Sequence, residues 1–367
     1  MNSDERTSVT VNDVARAAGV SVGTVSRVLN GFPNVAADNI AKVQKAVEVL
    51  NYQKNLSAGL LRSRRSGSRC GSIGLVFVEM GQAWSRHPLF SSYVAGVEQA
   101  CQENGIHAIV ELCSDSSEVP RCVRQRKVDG LLIKTTRGLP GFFDRLPVSL
   151  PVVCLGMNDP MSSFYQVAPD NRSAGWMISD YLWQHGHRKI AFLCSEAKHP
   201  IFIVRLQGYE GFLRSKGVFD PRLVVMEELT MAGDPEQTPP DMSKALHQVM
   251  SLPVEERPTA IVTGNDWAAC GLYSAIAKMG LQVPRDISVV GADNDELLCN
   301  SMVPPLTSYA AAFTEVAHAG ALELIARIED PERARESAVL LLRGRIVERR
   351  SVATQGAGLS DVSLPRG

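Results

Sequence analysis

The sequence predicts a small all-α head joined to a two-lobed α/β body, on three observations. From Ser72 onward, short aliphatic or β-branched runs alternate with longer amphipathic segments, the pattern of strands and crossover helices. These runs are almost continuously apolar, as in a parallel sheet covered on both faces. Residues 9–52 instead repeat apolar positions at i, i+3 and i+4, and a polar basic stretch over 53–70 separates the two regions as a linker. Eight or nine strands are many for one sheet, so two doubly wound parallel sheets are expected. A ligand cleft then falls between them, outside the carboxyl ends of their strands.

The 367 residues leave room for two or three domains and a large buried core. Hydrophobic residues at 45% and charged residues at 21% are ordinary for a folded chain and exclude wholesale disorder. No apolar run approaches the length of a membrane span, and the polar start Met1-Asn2-Ser3-Asp4-Glu5-Arg6 leads into no apolar signal core. The expectation is a soluble intracellular protein, with no membrane partner and a cytoplasmic location. Eight cysteines, none in a C-x-x-C pair and most inside apolar runs, read as buried free thiols, with no metal and no cofactor expected. The net charge of −1 divides unevenly: residues 1–70 carry +5 and the remainder −6, which points to a polyanionic partner for the head alone.

In the head, Asn12 or Asp13 is expected to cap a first helix, Gly19 to end it at positive φ, and Val20 to fill the turn. Ser21 then caps a second helix whose Val25, Val28 and Leu29 share the inner face, leaving Val22, Gly23, Ser26 and Arg27 outward. This is a helix-turn-helix, whose second helix presents its N-terminal residues to base edges in the major groove. Arg27 suits guanine O6 and N7 or a phosphate, Thr24 and Ser26 are short donors, and Val22 can touch a thymine methyl. Gly23 permits close backbone approach. A plain core hairpin would not gather polar residues and an arginine on one face.

Body strands are predicted at Ile73–Val78, Ala108–Leu112, Gly130–Ile133, Val152–Leu155, Ile190–Cys194, Leu223–Met226, Ala260–Thr263 and Ile287–Val290. Helices are predicted at Ser91–Glu103, Ser173–His185, Val204–Lys216, Asp266–Lys278 and Phe313–Ile328. Lys134 and Thr136, Asn265, and Asp293 all follow strands, where polar side chains can meet ligand hydroxyls. His185 and His187 read as helix C-terminal caps rather than metal ligands.

The motifs Asp13-Val14-Ala15, Ala18-Gly19-Val20-Ser21, Thr24-Val25-Ser26-Arg27-Val28-Leu29-Asn30 and Leu50-Asn51-Tyr52 resemble the N-terminal signature of the lac repressor family. The resemblance continues to about Ser351. It implies a DNA-binding transcription regulator, a repressor acting as a homodimer on palindromic double-stranded operator DNA under a small-molecule effector. Val22 and Gly23 fall on the variable base-reading pair, and Thr24, Ser26, Arg27 and Asn34 on DNA-contacting positions. The segment 55–61 resembles the hinge helix, with Ala58 and Leu61 at its characteristic positions and Leu61 as the wedge into the minor groove. Arg205, in Arg205-Leu206-Gln207-Gly208-Tyr209, matches the arginine that reaches a ligand, and Asp170 and Phe90 fall on effector positions. There are departures: Ala36, Asn39 and Ile40 replace the capping and phosphate-touching residues of the third helix, Lys54 a common proline, and Gly59 weakens the hinge.

The implied body is periplasmic-binding-protein-like. The expected divisions are 1–54 for the head, 55–71 for hinge and linker, 72–354 for the body and 355–367 for a tail without a leucine heptad. Chain crossings between lobes are expected near 168–172, 305–312 and 330–338. A sugar or sugar acid is the expected effector class, since Lys134 beside Arg205 suits a carboxylate. The span Gly19-Val20-Ser21-Val22-Gly23 satisfies G-x-S-x-G, but a helix precedes it where a nucleophile elbow needs a strand, so no enzyme is expected. A periplasmic solute receptor would share the body but not the head. An activator or co-repressor-dependent regulator of the same family remains the alternative.

Overall fold

The computed structural model describes residues 10–29, 35–50, 70–80, 88–135, 138–159, 163–228, 239–330, 332–333 and 336–355. The chain divides into two units, Met1–Cys70 and Gly71–Gly367.

In the first unit, α1 (Val11–Ala18) begins two or three residues earlier than expected. Thr10, not Asn12 or Asp13, occupies the N-cap. Asp13 sits three residues in and reaches back, accepting from Thr10 N at 3.0 Å and Thr10 Oγ1 at 2.6 Å. Its carboxyl is held below the usual range, by the Thr10 hydroxyl first and then the Thr10 backbone. Gly19 closes the helix at φ +64°, where a Cβ is disfavoured. Ser21 Oγ accepts from Thr24 N at 3.1 Å and starts α2 (Val22–Leu29) as expected. Together with α3 (Ala37–Val49), these helices enclose Val14, Val25 and Val43, each fully buried.

The second unit holds two six-stranded sheets, matching the expected pair of doubly wound lobes. Its elements in chain order begin with β1 (Ser72–Val78), α4 (Pro88–Glu103), β2 (His107–Cys113), α5 (Arg121–Arg124), β3 (Gly130–Lys134), β4 (Val152–Leu155), β5 (Tyr165–Pro169) and α6 (Asn171–Gln184). There follow β6 (Ile190–Cys194), α7 (Pro200–Ser215), β7 (Val224–Met226), α8 (Ser243–Met250), β8 (Ala260–Thr263) and α9 (Asp266–Lys278). The chain continues through β9 (Ser288–Ala292), α10 (Glu296–Ser301), β10 (Thr307–Ala310), α11 (Phe313–Glu329), β11 (Val339–Leu342) and β12 (Arg345–Val347). Lobe 1 has strand order β11-β5-β4-β3-β1-β2, and lobe 2 has β12-β10-β9-β8-β6-β7. Every neighbouring pair is parallel except β10 with β12, which is antiparallel.

Four strands, β5, β10, β11 and β12, lie outside the sequence expectation. They also move one crossing. The chain passes between lobes after β5, after β10, and at Arg343-Gly344 between β11 and β12. The crossing expected near 330–338 falls later, because β11 adds to β5 in the lobe 1 sheet by a parallel register of Val339 on Gln166.

Buried apolar side chains fill both faces of each sheet. In lobe 2, helices α6 and α7 cross at their glycines. A Cβ on Gly175 would overlap Arg205 O, and one on Gly208 would overlap Arg172 O. The eight cysteines are all free thiols. Among the described residues, no helix is long and apolar enough to cross a membrane.

Candidate functional site

On the head, Ser21 caps α2 and the buried Val25 anchors it. Gly23 and Arg27 stand exposed, while Thr24 and Ser26 are half-buried. Thr24 Oγ1 lies 2.9 Å from Ser21 Oγ, so one of its lone pairs or its proton is engaged within the turn. Val22, expected outward, is half-buried and packs against the head's core, because position 22 sits where α2 leaves the turn and approaches the apolar cluster around Val25. Val28 is likewise half-buried against that cluster. At the start of α3, Ala36 occupies the N-cap without a side-chain acceptor for the first backbone N–H groups. Asn34, Ala58 and Leu61 lie outside the described residues, as does the hinge segment.

In the body, one buried guanidinium organises lobe 2. Arg205, 1% exposed on α7, donates from Nη2 to Asn171 Oδ1 at 2.8 Å and to Asp293 Oδ1 at 3.1 Å, and from Nη1 to Gly264 O. Three segments meet here: the start of α6, the β8–α9 turn and the loop after β9. Asp293 has φ +100° and Asn294 φ +55°, a backbone shape that side-chain-bearing residues rarely adopt. Such strain persists where surrounding contacts hold it, and here Asp293 N donates to Tyr309 O at 2.8 Å. Behind Asp293, Asp266 is almost fully buried and accepts from Ser308 Oγ at 2.6 Å and Asp295 N at 2.8 Å. Burial, aided by the Asp293 charge, pushes its carboxyl up to about 7.

Asn265 and Asp170 hold the N-termini of α9 and α6, accepting from Ala268 N at 2.8 Å and Ser173 N at 2.9 Å. Asp170 also lies 3.6 Å from Arg343 Nε and donates its own N–H to Leu342 O, so it marks the first and third crossings together.

From lobe 1, Lys134 ends β3 and is 3% exposed. Its Nζ donates to Thr135 O at 3.4 Å and lies 5.3 Å from the Tyr93 ring centre. Burial alone pushes its ammonium down to about 7. Tyr93, not anticipated from sequence, is buried. Burial first, and then the Asp293 charge, push its phenol upward. Phe90 does not join them directly. It stacks on Phe77 with ring centres 4.7 Å apart and faces a groove with Met80, Val110, Glu111 and Arg121. Thr136 lies outside the described residues.

The structure therefore brings Arg205, Asp293 and Asn171 into direct contact, with Asn265 and Asp170 as helix caps beside them. Asn171 was missed because its only sequence signal is a place after Pro169-Asp170; its partner stands 34 residues away. His185 caps α6 as expected, with Nδ1 2.8 Å from Tyr181 O. His187 does not cap. It is fully buried between Thr259 Oγ1 at 2.8 Å and Ala353 O at 3.0 Å, and burial pushes it down to about 4.

The chain matches the model of bacterial regulatory proteins of the lacI family over residues 10–55, and that of the periplasmic binding protein-like domain over residues 179–352. It is 31% identical over 354 residues to the HTH-type transcriptional repressor PurR of Vibrio atlanticus, covering 94% of this chain and 99% of that one. It is 32% identical over 349 residues to the ribose operon repressor of Escherichia coli K12, covering 91% and 99%. Among solved structures, the transcriptional regulator CelR in complex with cellobiose aligns with a TM-score of 0.64 at 26% identity, over 94% of this chain and 99% of that one. The lac repressor dimer bound to operator and the anti-inducer ONPF aligns with a TM-score of 0.71 at 24% identity, over 95% and 100%, a likeness of fold.

Proposed function

Since the chain belongs to the lacI family of bacterial regulatory proteins, a family of DNA-binding, effector-regulated transcription repressors, we propose that it represses transcription by holding a palindromic operator as a homodimer. The observation that carries the reading is the face of α2: capped by Ser21 and pinned by buried Val25, it leaves Gly23 and Arg27 exposed side by side on consecutive turns. An arginine there can reach guanine O6 and N7 in the major groove while the glycine lets the backbone approach. Its relatives are repressors, not enzymes, and we read no catalytic role in this chain. We place it in the cytoplasm, on the bacterial nucleoid.

Arg205, Asp293, Asn265, Asp170 and Lys134 are our candidate effector residues. Support comes from the position of Asp293, Asn265, Asp170 and Lys134 at carboxyl strand ends and helix starts, where open α/β sheets take ligands, and from the reach of Arg205, inside α7, to Asp293 and Asn171. A small polyhydroxylated effector can accept from Arg205 and donate to Asp293, drawing the lobes together. Closure displaces the lobe 1 pair of the dimer and alters whether the paired hinges can form on DNA. By linkage, operator and effector then change each other's affinity by one factor.

Selection of binding sites from random duplexes with the purified protein tests the reading, and recovery of a palindrome supports it. Arg27→Ala is expected to lose about 1–3 kcal/mol of discrimination at the contacted base pair. Fluorescence titration of the selected duplex against single-base variants measures this, and undiminished discrimination would sink the assignment.

A further inference from the structure

Lys134 occupies a place that the fold reserves for apolar side chains. It pairs with Phe77 on β1 and Leu155 on β4, and it follows Leu132 on the same face of β3, all three of these neighbours being fully buried core residues. A long cationic side chain there has little compensation: among the described residues no carboxylate lies within ion-pair distance, and Nζ has a 3.4 Å hydrogen bond to Thr135 O and the face of the Tyr93 ring at 5.3 Å. Gly156, at φ +80°, makes room for it. A Cβ at that position would stand 2.8 Å from Lys134 Nζ and 3.3 Å from Tyr93 Oη, so ammonium and phenol are neighbours beside bare backbone.

The other charges of the cleft are matched within the protein. Arg205 is paired with Asp293, and Asp170 faces Arg343. Asp266 is enclosed by Ser308 and the Asp295 backbone, and burial favours its neutral form. Lys134 is the ionisable group left without a carboxylate partner, on the lobe 1 side, and an anion beside it would restore the ammonium form that burial disfavours, while the pair Arg205–Asp293 stands on lobe 2.

We propose that the effector is a polyhydroxy monocarboxylate of the sugar-acid class, with its carboxylate seated on Lys134 Nζ and Tyr93 O–H and its hydroxyl chain extending toward Asp293 and Arg205. This rests on the effector-regulated reading above and narrows it. A carboxylate supplies the counter-charge that the buried ammonium lacks, and charge-assisted hydrogen bonds between the two are among the stronger polar contacts. One unpaired cation suits one negative charge. A phosphate dianion would leave a second charge unmatched in a buried site.

The experiment compares matched pairs by calorimetry on the full-length protein: gluconate, galactonate and xylonate against glucitol, galactitol and xylitol, with glucose 6-phosphate as a separate arm. At least one acid is expected to bind, with its matched polyol at least about 100-fold weaker. Lys134→Met is expected to weaken that acid by about the same factor, with its folding checked by melting. In the wild-type protein at pH 8, acid binding is expected to draw in protons, read from the difference in heat between two buffers. This readout needs no variant. Binding of a polyol or the phosphate ester in preference to every acid, binding of no acid, or an acid affinity unmoved by Lys134→Met would each overturn the proposal. Operator binding by the same preparation is measured in parallel, and its loss would count against the regulator reading instead.

Discussion

At the scale of single residues, the molecule spends stability at Lys134 and leaves some unclaimed at Ala36. The lysine's ordinary pKa near 10.5 falls to about 7 on burial, so between these values the folded chain holds fewer protons than the unfolded one. Stability from this group therefore rises with pH from 7 toward 10 and is lost as pH falls back toward 7. Each unit of depression is worth about 1.4 kcal/mol. Lys134→Met should accordingly stabilise the ligand-free protein by several kcal/mol at pH 7, with the advantage shrinking toward pH 10. Denaturant melts at the two pH values measure it; a variant equally or less stable at pH 7 would mean the ammonium is already compensated. At Ala36 the missing N-cap acceptor leaves backbone donors of α3 to solvent. Ala36→Ser should stabilise the head by about 1 kcal/mol, read from slower amide exchange in α3.

At the scale of elements, two glycines let α6 and α7 touch backbone to backbone, and this contact sets where Arg205 meets Asn171. Gly175→Ala drives a methyl into Arg205 O, and α7 must retreat. Overpacking of this kind costs about 1–3 kcal/mol or more, and we expect both a lower melting temperature and a weaker effector response. Equal effector affinity in the variant would show that the helix contact does not position the arginine.

The same scale explains what the sequence made legible. Strands β1, β3, β4, β6 and β8 are continuous apolar runs and were read within a residue or so at each end. Strands β5 and β10 were not, because they bury Gln166, Thr307 and Ser308, each fully enclosed. These polar groups are satisfied by distant partners: Gln166 exchanges hydrogen bonds with the Asp159 backbone, and Thr307 N donates to Ser351 Oγ. Hydrophobic periodicity carries no trace of such contacts. Asp293 is legible from its place after a strand, and Arg205 from its family-like segment. Tyr93 was hidden inside an amphipathic helix, where an aromatic residue reads simply as core.

At the scale of the whole molecule, Arg205 couples three segments, two of which, at Asn171 and Asp293, adjoin places where the chain passes between lobes. Arg205→Ala leaves the Asp293 carboxylate without its buried partner, and breaking such a pair costs about 3–5 kcal/mol. The expected variant melts earlier, still binds the selected operator, and no longer changes its operator affinity on effector addition. A change in operator affinity at wild-type effector concentrations would remove Arg205 from the response.

The late crossing at Arg343-Gly344 bears on how the protein is made. Lobe 1 receives α11 and β11 only after all of lobe 2 up to β10 has been synthesised, and lobe 2 receives β12 later still. Residues 349–355 then clasp lobe 2 from outside: Ser351 and Ala353 bond to β9, and His187 is locked against Ala353 O. The usual order of translation, in which an N-terminal unit folds before the next emerges, serves the head but neither lobe. A ribosome adding about 5–20 residues per second therefore carries two unfinished sheets with open edges for many seconds. Exposed apolar strands and open sheet edges of this kind are prone to aggregate, so the interleaving that joins the lobes also lengthens the chain's exposure during synthesis.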